Sequence, residues 1–166
     1  MSYLTEPLHS SHQKAEFDCG QKLLNDYLHT QAKQDVKRRL SACFILAEHN
    51  KVKGYYTLSS ASIQRELLPE AIIKKLPPSY HHLPATLLGR LAIDNSFKGQ
   101  GLGELILIDA LKRSYNTSLS SIGSMAIIVD PIDENAVKFY KKYGFILLPD
   151  SGKMFIAMET ISGLFS

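Results

Sequence analysis

The sequence predicts a mixed α/β sandwich, antiparallel at first and parallel where helices cross over. Apolar runs of strand length alternate with stretches of helical spacing, in the order strand–strand–strand–helix–strand–helix–strand–strand. One strand, Leu87–Asp94, is apolar almost without interruption, which implies cover on both faces. A glycine-rich loop joins that strand to a run of strong helix formers.

Met1–Phe17 is polar and irregular, with one short strand near Leu4–Leu8. Asp18 has the character of a helix N-cap, with Gln21 as its capping-box partner. Leu23, Leu24, Tyr27 and Leu28 follow at helical spacing, and a second helical stretch covers Gln31–Lys37. Ala42–Ala47 and Gly54–Ile63 read as an antiparallel hairpin around a turn at His49 and Asn50. Pro69 opens a short helix, where its missing N–H costs nothing, and Pro77 and Pro78 stop it. After the Leu87–Asp94 strand come the glycines, a helix over Glu104–Arg113 and the β-branched strand Met125–Val129. A helix over Glu134–Tyr143 ends at Gly144. Ile146–Leu148 and Phe155–Met158 are late strands.

With 166 residues, 45% hydrophobic and 21% charged, the chain reads as one globular domain spanning 1–166. No apolar stretch reaches the ~20 residues of a membrane-crossing helix. Met1–Ser11 lacks the basic start and apolar run of a secretory signal. Cys19 and Cys43 form no disulfide framework and have no metal-ligand spacing, so no metal site is expected. They read as small buried hydrophobes, and a reducing cytoplasm is the simplest compartment. The net charge of +3 is mild, but Lys33, Lys37, Arg38 and Arg39 crowd one segment with Asp35 as the only acid. Such a cluster suits a phosphate-rich partner, or is a solvated helix face; the sequence leaves both open.

The chemistry starts at Gly99, Gly101 and Gly103. Glycine takes positive φ cheaply and lets a ligand approach the backbone. The following helix adds free N–H groups and the positive end of its dipole. Backbone donors from Gln100, Gly101, Leu102 and Gly103 would therefore suit a phosphate. No Gly-Lys-Ser/Thr ends the loop, so it is not a Walker A sequence, and Gly-x-Gly-x-x-Gly is absent there.

Leu88-Gly-Arg-Leu-Ala-Ile-Asp94 followed by Lys98-Gly-Gln-Gly-Leu-Gly103 resembles the acetyl-CoA motif of the GNAT superfamily, Gln/Arg-x-x-Gly-x-Gly/Ala. Gly101 and Gly103 match its glycines; Lys98 stands at the Gln/Arg position. Asn135-Ala-Val-Lys-Phe-Tyr-Lys-Lys-Tyr-Gly-Phe145 resembles the second signature of that superfamily. The two motifs lie within residues 88–145, about a third of the chain. The resemblance implies a GNAT-like mixed sheet with a splayed pair of central parallel strands, flanked by helices on both faces. It implies acetyl-CoA as the acyl donor, with its diphosphate on Lys98, Gly99, Gln100, Gly101, Leu102 and Gly103. The pantetheine arm would pair with the backbone of Leu91, Ala92 and Ile93 and contact Asn135, with Phe139 and Tyr143 alongside. Tyr140 would protonate the departing thiolate.

A narrower resemblance spans nearly the whole chain. Phe17-Asp-Cys-Gly20, Gly54-Tyr-Tyr-Thr-Leu-Ser59, Leu83-Pro-Ala85 and Phe139-Tyr140 are similar to the acetyltransferase toxins of bacterial type II toxin–antitoxin modules. These acetylate the α-amine of aminoacyl-tRNA and pair with a small ribbon-helix-helix antitoxin. The resemblance implies Lys33, Lys37, Arg38, Arg39 and Arg90 as candidate tRNA contacts and leaves room for a homodimer. Arg90 could instead pair structurally with a carboxylate. His81, His82 and Glu48 are weak candidates for a general base. A free α-amine, at a pKa of about 7.7–8.0, makes a strong base less necessary than a lysine side chain near 10.4 would. The other readings are acetylation of a small amine or protein N-terminus, and a non-catalytic antitoxin-binding co-repressor.

Overall fold

The two residues of the His49–Asn50 turn both have positive φ, 53° and 64°. A two-residue hairpin loop needs that geometry to match the twist of its strands. The turn joins β2 (Ala42–Glu48) to β3 (Lys51–Gln64), longer than the predicted pair by a few residues. The register slips by one residue between Leu46 and Ala47, a bulge that leaves Lys53 without a direct partner. The computed structural model describes residues 2–165. Its other strands are β1 (Glu6–Pro7), β4 (His82–Ile93), β5 (Ala126–Val129), β6 (Ile146–Leu147) and β7 (Met154–Ala157). Its helices are α1 (Lys22–Asp26), α2 (Ala32–Lys37), α3 (Glu70–Ile73), α4 (Leu102–Ser120), α5 (Glu134–Lys142) and α6 (Met158–Leu164). The strands hydrogen-bond in the order β1-β2-β3-β4-β5-β7-β6, as the mixed α/β expectation requires. Among the described residues no helix is long and apolar enough to cross a membrane.

The chain divides into two compact units. The first contains the residues up to Ser59 together with Leu88–Arg113. On one side of its strands Phe17, Tyr27, Leu28 and Ala32 pack on Cys43, Ile45, Tyr55 and Ala92. On the other side, Phe44 lies 5.3 Å from Tyr56, ring to ring. Tyr56 donates to Asp109 of α4 at 2.8 Å and accepts from Arg113 at 2.9 Å. Asp109 also accepts from the Thr5 hydroxyl at 2.6 Å and the Leu4 amide at 2.7 Å, which fixes the N-terminal segment. Helices thus cover both faces of this part of the sheet. β3 and β4 approach closely at Gly54, where a Cβ would come within 2.6 Å of Ile93 Cδ1 and 2.9 Å of the Ala92 carbonyl.

Two expectations for this unit need correction. Asp18 is not the N-cap of α1; Gln21 is, without a side-chain cap. The Asp18 carboxylate instead accepts from the Gly20 amide and the Asn25 side chain, both at 2.9 Å. The two predicted helices are one continuous run, because a π turn over Tyr27–Gln31 links α1 to α2. There the Thr30 hydroxyl donates to the Asp26 carbonyl at 2.8 Å, loosening the backbone ladder.

The second unit contains Ser60–Leu87 and the residues from Ser114 on. Ile63, Leu68, Leu83, Ala85, Ala126, Ile128, Leu148 and Phe155 form its core. β4 pairs in parallel with β5 through Thr86–Ile127 and Leu87–Ile128, and β7 pairs antiparallel with both β5 and β6. Asp133 caps α5 by accepting from the Ala136 amide at 2.8 Å, and Gly144, at φ 98°, follows its end. α3 stops at Ile73, before the prolines. The Arg65 guanidinium donates to carbonyls at and beyond the helix end: Ile73 at 3.2 Å, Leu76 at 3.3 Å and Pro77 at 2.6 Å. α4 runs to Ser120, past the predicted end at Arg113, and α6 is a helix the sequence pattern did not reveal.

Candidate functional site

β4 carries Leu91 half-buried and Ala92 and Ile93 buried to the edge of the glycine loop. The chain then makes a short turn over Asn95–Phe97 and reaches Gly99 and Gly101, whose φ values are 81° and 76°. Side chains other than glycine are strained there. A Cβ on either residue would meet nothing within 4 Å, so backbone conformation, not lack of space, requires glycine. Gly103 is different. α4 begins at Leu102, so Gly103 lies in its first turn and has no positive φ.

Among the described residues, no acceptor meets the amides of Gly99, Gln100, Gly101, Leu102, Gly103 and Glu104. The first bond at this end runs from the Leu105 amide to the Gly101 carbonyl, 3.2 Å. A run of open donors on a positive helix end suits an anion. Lys98 does not point its ammonium into that array; its Nζ donates to the Cys19 carbonyl at 2.6 Å. Glu104 stands exposed in the first turn, and the glycine segment itself carries no titratable side chain.

In the second unit, α5 and its C-cap place Asn135, Phe139, Tyr140 and Tyr143 within about two helical turns. Asn135 is exposed, and among the described residues its side chain makes no hydrogen bond. Tyr140 is 8% exposed. Its ring lies edge-on to Phe139 and Phe145, at 5.3 Å and 5.2 Å. Phe139 meets Tyr143 in the same way, at 5.2 Å. No hydrogen bond engages the Tyr140 hydroxyl among the described residues. Burial alone pushes this phenol well above its ordinary value, so it holds its proton throughout neutral pH.

Lys33, Lys37, Arg38 and Arg39 are all exposed, and none forms an ion pair among the described residues. Asp35, the acid among them, accepts from Tyr27 at 3.1 Å and Gln31 at 3.4 Å. Arg39 has φ 60°, and the Arg39 and Leu40 amides bond back to Val36 and Asp35. This is the helix ending in which glycine normally fills the left-handed position. Arg90 has no carboxylate partner among the described residues; its guanidinium stacks 3.5 Å above the Tyr27 ring. His81 and His82 are exposed, and Glu48 pairs with Lys53 at 3.2 Å. Cys19 and Cys43 are buried and free.

Sequence reasoning missed two polar groups. Glu6, His9 and His12 cluster at the N-terminus. His12 Nδ1 accepts from the His9 amide at 3.1 Å, so the ring proton sits on Nε2, 2.6 Å from Glu6. That tautomer leaves Nε2 no lone pair for a metal ion. The second group links Asp18, Asn25 and Asp94 next to the glycine loop; Asp18 and Asp94 each lie in a motif, but Asn25 gave no signal and neither motif pointed to the link.

Residues 82–155 match the family described as Acetyltransferase (GNAT) domain. A tRNA-acetylating toxin of Mycobacterium tuberculosis is 33% identical over 133 residues, 80% of this chain and 78% of the relative. The structure of AtaT complexed with acetyl-methionyl-tRNAfMet superposes with a TM-score of 0.89 at 31% identity, covering 99% of this chain and 100% of that one. A tyrosine-to-phenylalanine mutant of AtaT, bound to the C-terminus of the antitoxin AtaR and acetyl-CoA, gives a TM-score of 0.81 at 27% identity, covering 98% and 97%.

Proposed function

The chain belongs to the GNAT acetyltransferase family, and from that premise we propose that it transfers acetyl from acetyl-CoA to the α-amine of an aminoacyl-tRNA, blocking translation as the toxin of a toxin–antitoxin pair. The observation that carries the reading is the run of open amides from Gly99 to Glu104, set in a chain similar from end to end to AtaT with its acetylated tRNA.

In this reading the catalytic domain spans 1–166. The amides of Gln100, Gly101, Leu102 and Gly103 hold the diphosphate of acetyl-CoA. That remote binding energy orients the thioester. Leu91–Ile93 pair with the pantetheine arm, and one backbone N–H of that strand polarises the acetyl carbonyl. Asn135, Phe139 and Tyr143 line the arm.

The α-amine attacks, and Tyr140 supplies the proton to the departing thiolate. At ordinary values, near 10 for phenol and 8.5 for thiol, that transfer is uphill by about 2 kcal/mol. Burial of Tyr140 adds to the difference, so the proton moves as negative charge develops on sulfur, not before. The attacking amine has a pKa of about 7.7–8.0, lowered further by the neighbouring ester, and is largely neutral without a protein base. Lys33, Lys37, Arg38, Arg39 and Arg90 take up phosphates of the acceptor stem. The partner is a small ribbon-helix-helix antitoxin, and the compartment is the cytoplasm.

Growth tests the reading. Expression of the chain arrests cells, and Tyr140→Phe, expressed to the same level, does not. Parent and mutant equally harmless, or equally toxic, would remove catalysis from the explanation.

A further inference from the structure

Three bonds tie the segment after Phe17 to the approach of the glycine loop. Asp94 Oδ1 accepts from the Asp18 amide at 2.9 Å, and the Asn95 amide donates to the Asp18 carbonyl at 2.7 Å. Lys98 Nζ, one residue before the first loop glycine, donates to the Cys19 carbonyl at 2.6 Å. The tied segment is itself held from α1. Asn25 donates to the Asp18 carboxylate at 2.9 Å and accepts from the Cys19 amide at 2.8 Å. Gly20, at φ 87°, keeps the turn close enough that a Cβ would lie 3.4 Å from the Asn95 side chain.

Asp94 is 7% exposed, and both of its oxygens are engaged. The second accepts from the Ser96 amide at 2.9 Å and the Ser96 hydroxyl at 2.5 Å. Burial raises this carboxyl, but the bonds from Ser96 and Asp18, with Lys51 nearby, outweigh it and hold the group below its ordinary range. Asp94 therefore stays ionised and keeps accepting.

We propose that Asp94 and Asn25 are positioning residues for the diphosphate half of the acyl donor, and that Lys98 acts with them as a strut of the loop rather than as a phosphate ligand. The inference rests on the reading of Gly99–Gly103 as the diphosphate loop. None of the three need touch the donor. The brace fixes where β4 ends and where the open amides face, and an error of an ångström in such an array is costly. A lysine whose ammonium is bonded to Cys19 also accounts for the departure from Gln/Arg at this motif position.

The test uses the full-length protein with two donors: acetyl-CoA, and S-acetylpantetheine, which keeps the thioester and lacks the diphosphate. Asp94→Asn raises the Michaelis constant for acetyl-CoA by on the order of tenfold while turnover with S-acetylpantetheine is unchanged. Asn25→Ala, on the exposed side of the brace, does the same to a lesser degree and serves if Asp94→Asn does not fold. Lys98→Met raises the acetyl-CoA constant too, and its combination with Asp94→Asn is no worse than either change alone, because both break one device. Equal losses with both donors would make the brace merely structural. An effect of Lys98→Met alone, additive with any other, would return Lys98 to the phosphate. If the parent protein uses both donors equally well, the diphosphate-loop reading itself fails, whatever the variants do.

Discussion

The loop from Gly99 to Gly103 offers backbone amides with no acceptor among the described residues and no titratable side chain, whereas α5 offers a buried titratable hydroxyl, that of Tyr140, surrounded by rings. The first is built from conformation: two glycines at positive φ and a helix start. The second is built from identity: a phenol that burial keeps protonated. Binding a diphosphate needs several weak donors in register, so no single side chain carries it. Delivering a proton needs one group at one point. The loop should therefore be sensitive to charge and backbone geometry and show itself in affinity, and Tyr140 should be sensitive to one atom and show itself in turnover.

The largest expected effect is at Tyr140. Tyr140→Phe keeps the ring and its packing, so thermal stability and acetyl-CoA affinity in calorimetry persist. Loss of general acid catalysis lowers turnover by on the order of 10²–10⁴-fold with little change in Michaelis constants. Near-parental turnover would assign the proton to water or another group. The loop should break the other way. Gly103→Glu brings bulk and negative charge to the first turn of α4, and calorimetry should show acetyl-CoA binding lost while the protein stays folded. Unchanged affinity would end the phosphate-loop assignment.

The rate profile with pH sharpens the contrast. Burial raises the Tyr140 phenol from its ordinary value near 10, so it does not lose its proton below that pH. The profile of kcat/KM should rise through the titration of the substrate amine and show no descending limb up to pH 10. A fall between pH 8 and 9 would reveal a different acid.

Smaller effects belong to the cationic segment and the strand contact. Reversing the charge of Lys33 and Lys37 should weaken tRNA binding and flatten its salt dependence by about 0.7–0.9 in slope per lost phosphate contact, without touching acetyl-CoA affinity. Gly54→Ala forces a methyl against Ile93 and the Ala92 carbonyl and should lower stability by about 1–3 kcal/mol in denaturant titrations. Arg39→Gly relieves a left-handed conformation and should stabilise the fold by about 1 kcal/mol while weakening tRNA binding. If it stabilises without weakening, the cluster is a solvated face.

The two regions also differ in how much of them the sequence revealed. α5 was legible almost to the residue, with Gly144 marking its end locally, while its Asp133 cap emerged only in the structure. The loop glycines were legible as a motif, yet the start of α4 at Leu102 and the ordinary helical φ of Gly103 were not. The brace was hidden because it depends on partners far apart in sequence, Asp18 with Asp94 and Cys19 with Lys98. Asp18 looked like an N-cap because its local pattern allows one; a competing bond from Asn25 decided otherwise. α4 outran its predicted end through Thr117-Ser-Leu-Ser120, where the Ser118 and Ser120 hydroxyls bond back to the Tyr115 and Asn116 carbonyls at 2.6 Å and 2.9 Å.

The most direct measurement follows the acetyl group. The purified protein is incubated with total aminoacylated tRNA and acetyl-CoA labelled in the acetyl group, and the tRNA is then stripped of its amino acids in mild alkali and the products identified by mass. The account predicts label in N-acetylated amino acid released from tRNA, from one or a few amino acids, with none from the Tyr140→Phe protein on the same time scale. Label confined to free amines or to protein N-termini, with the charged tRNA untouched, would contradict it.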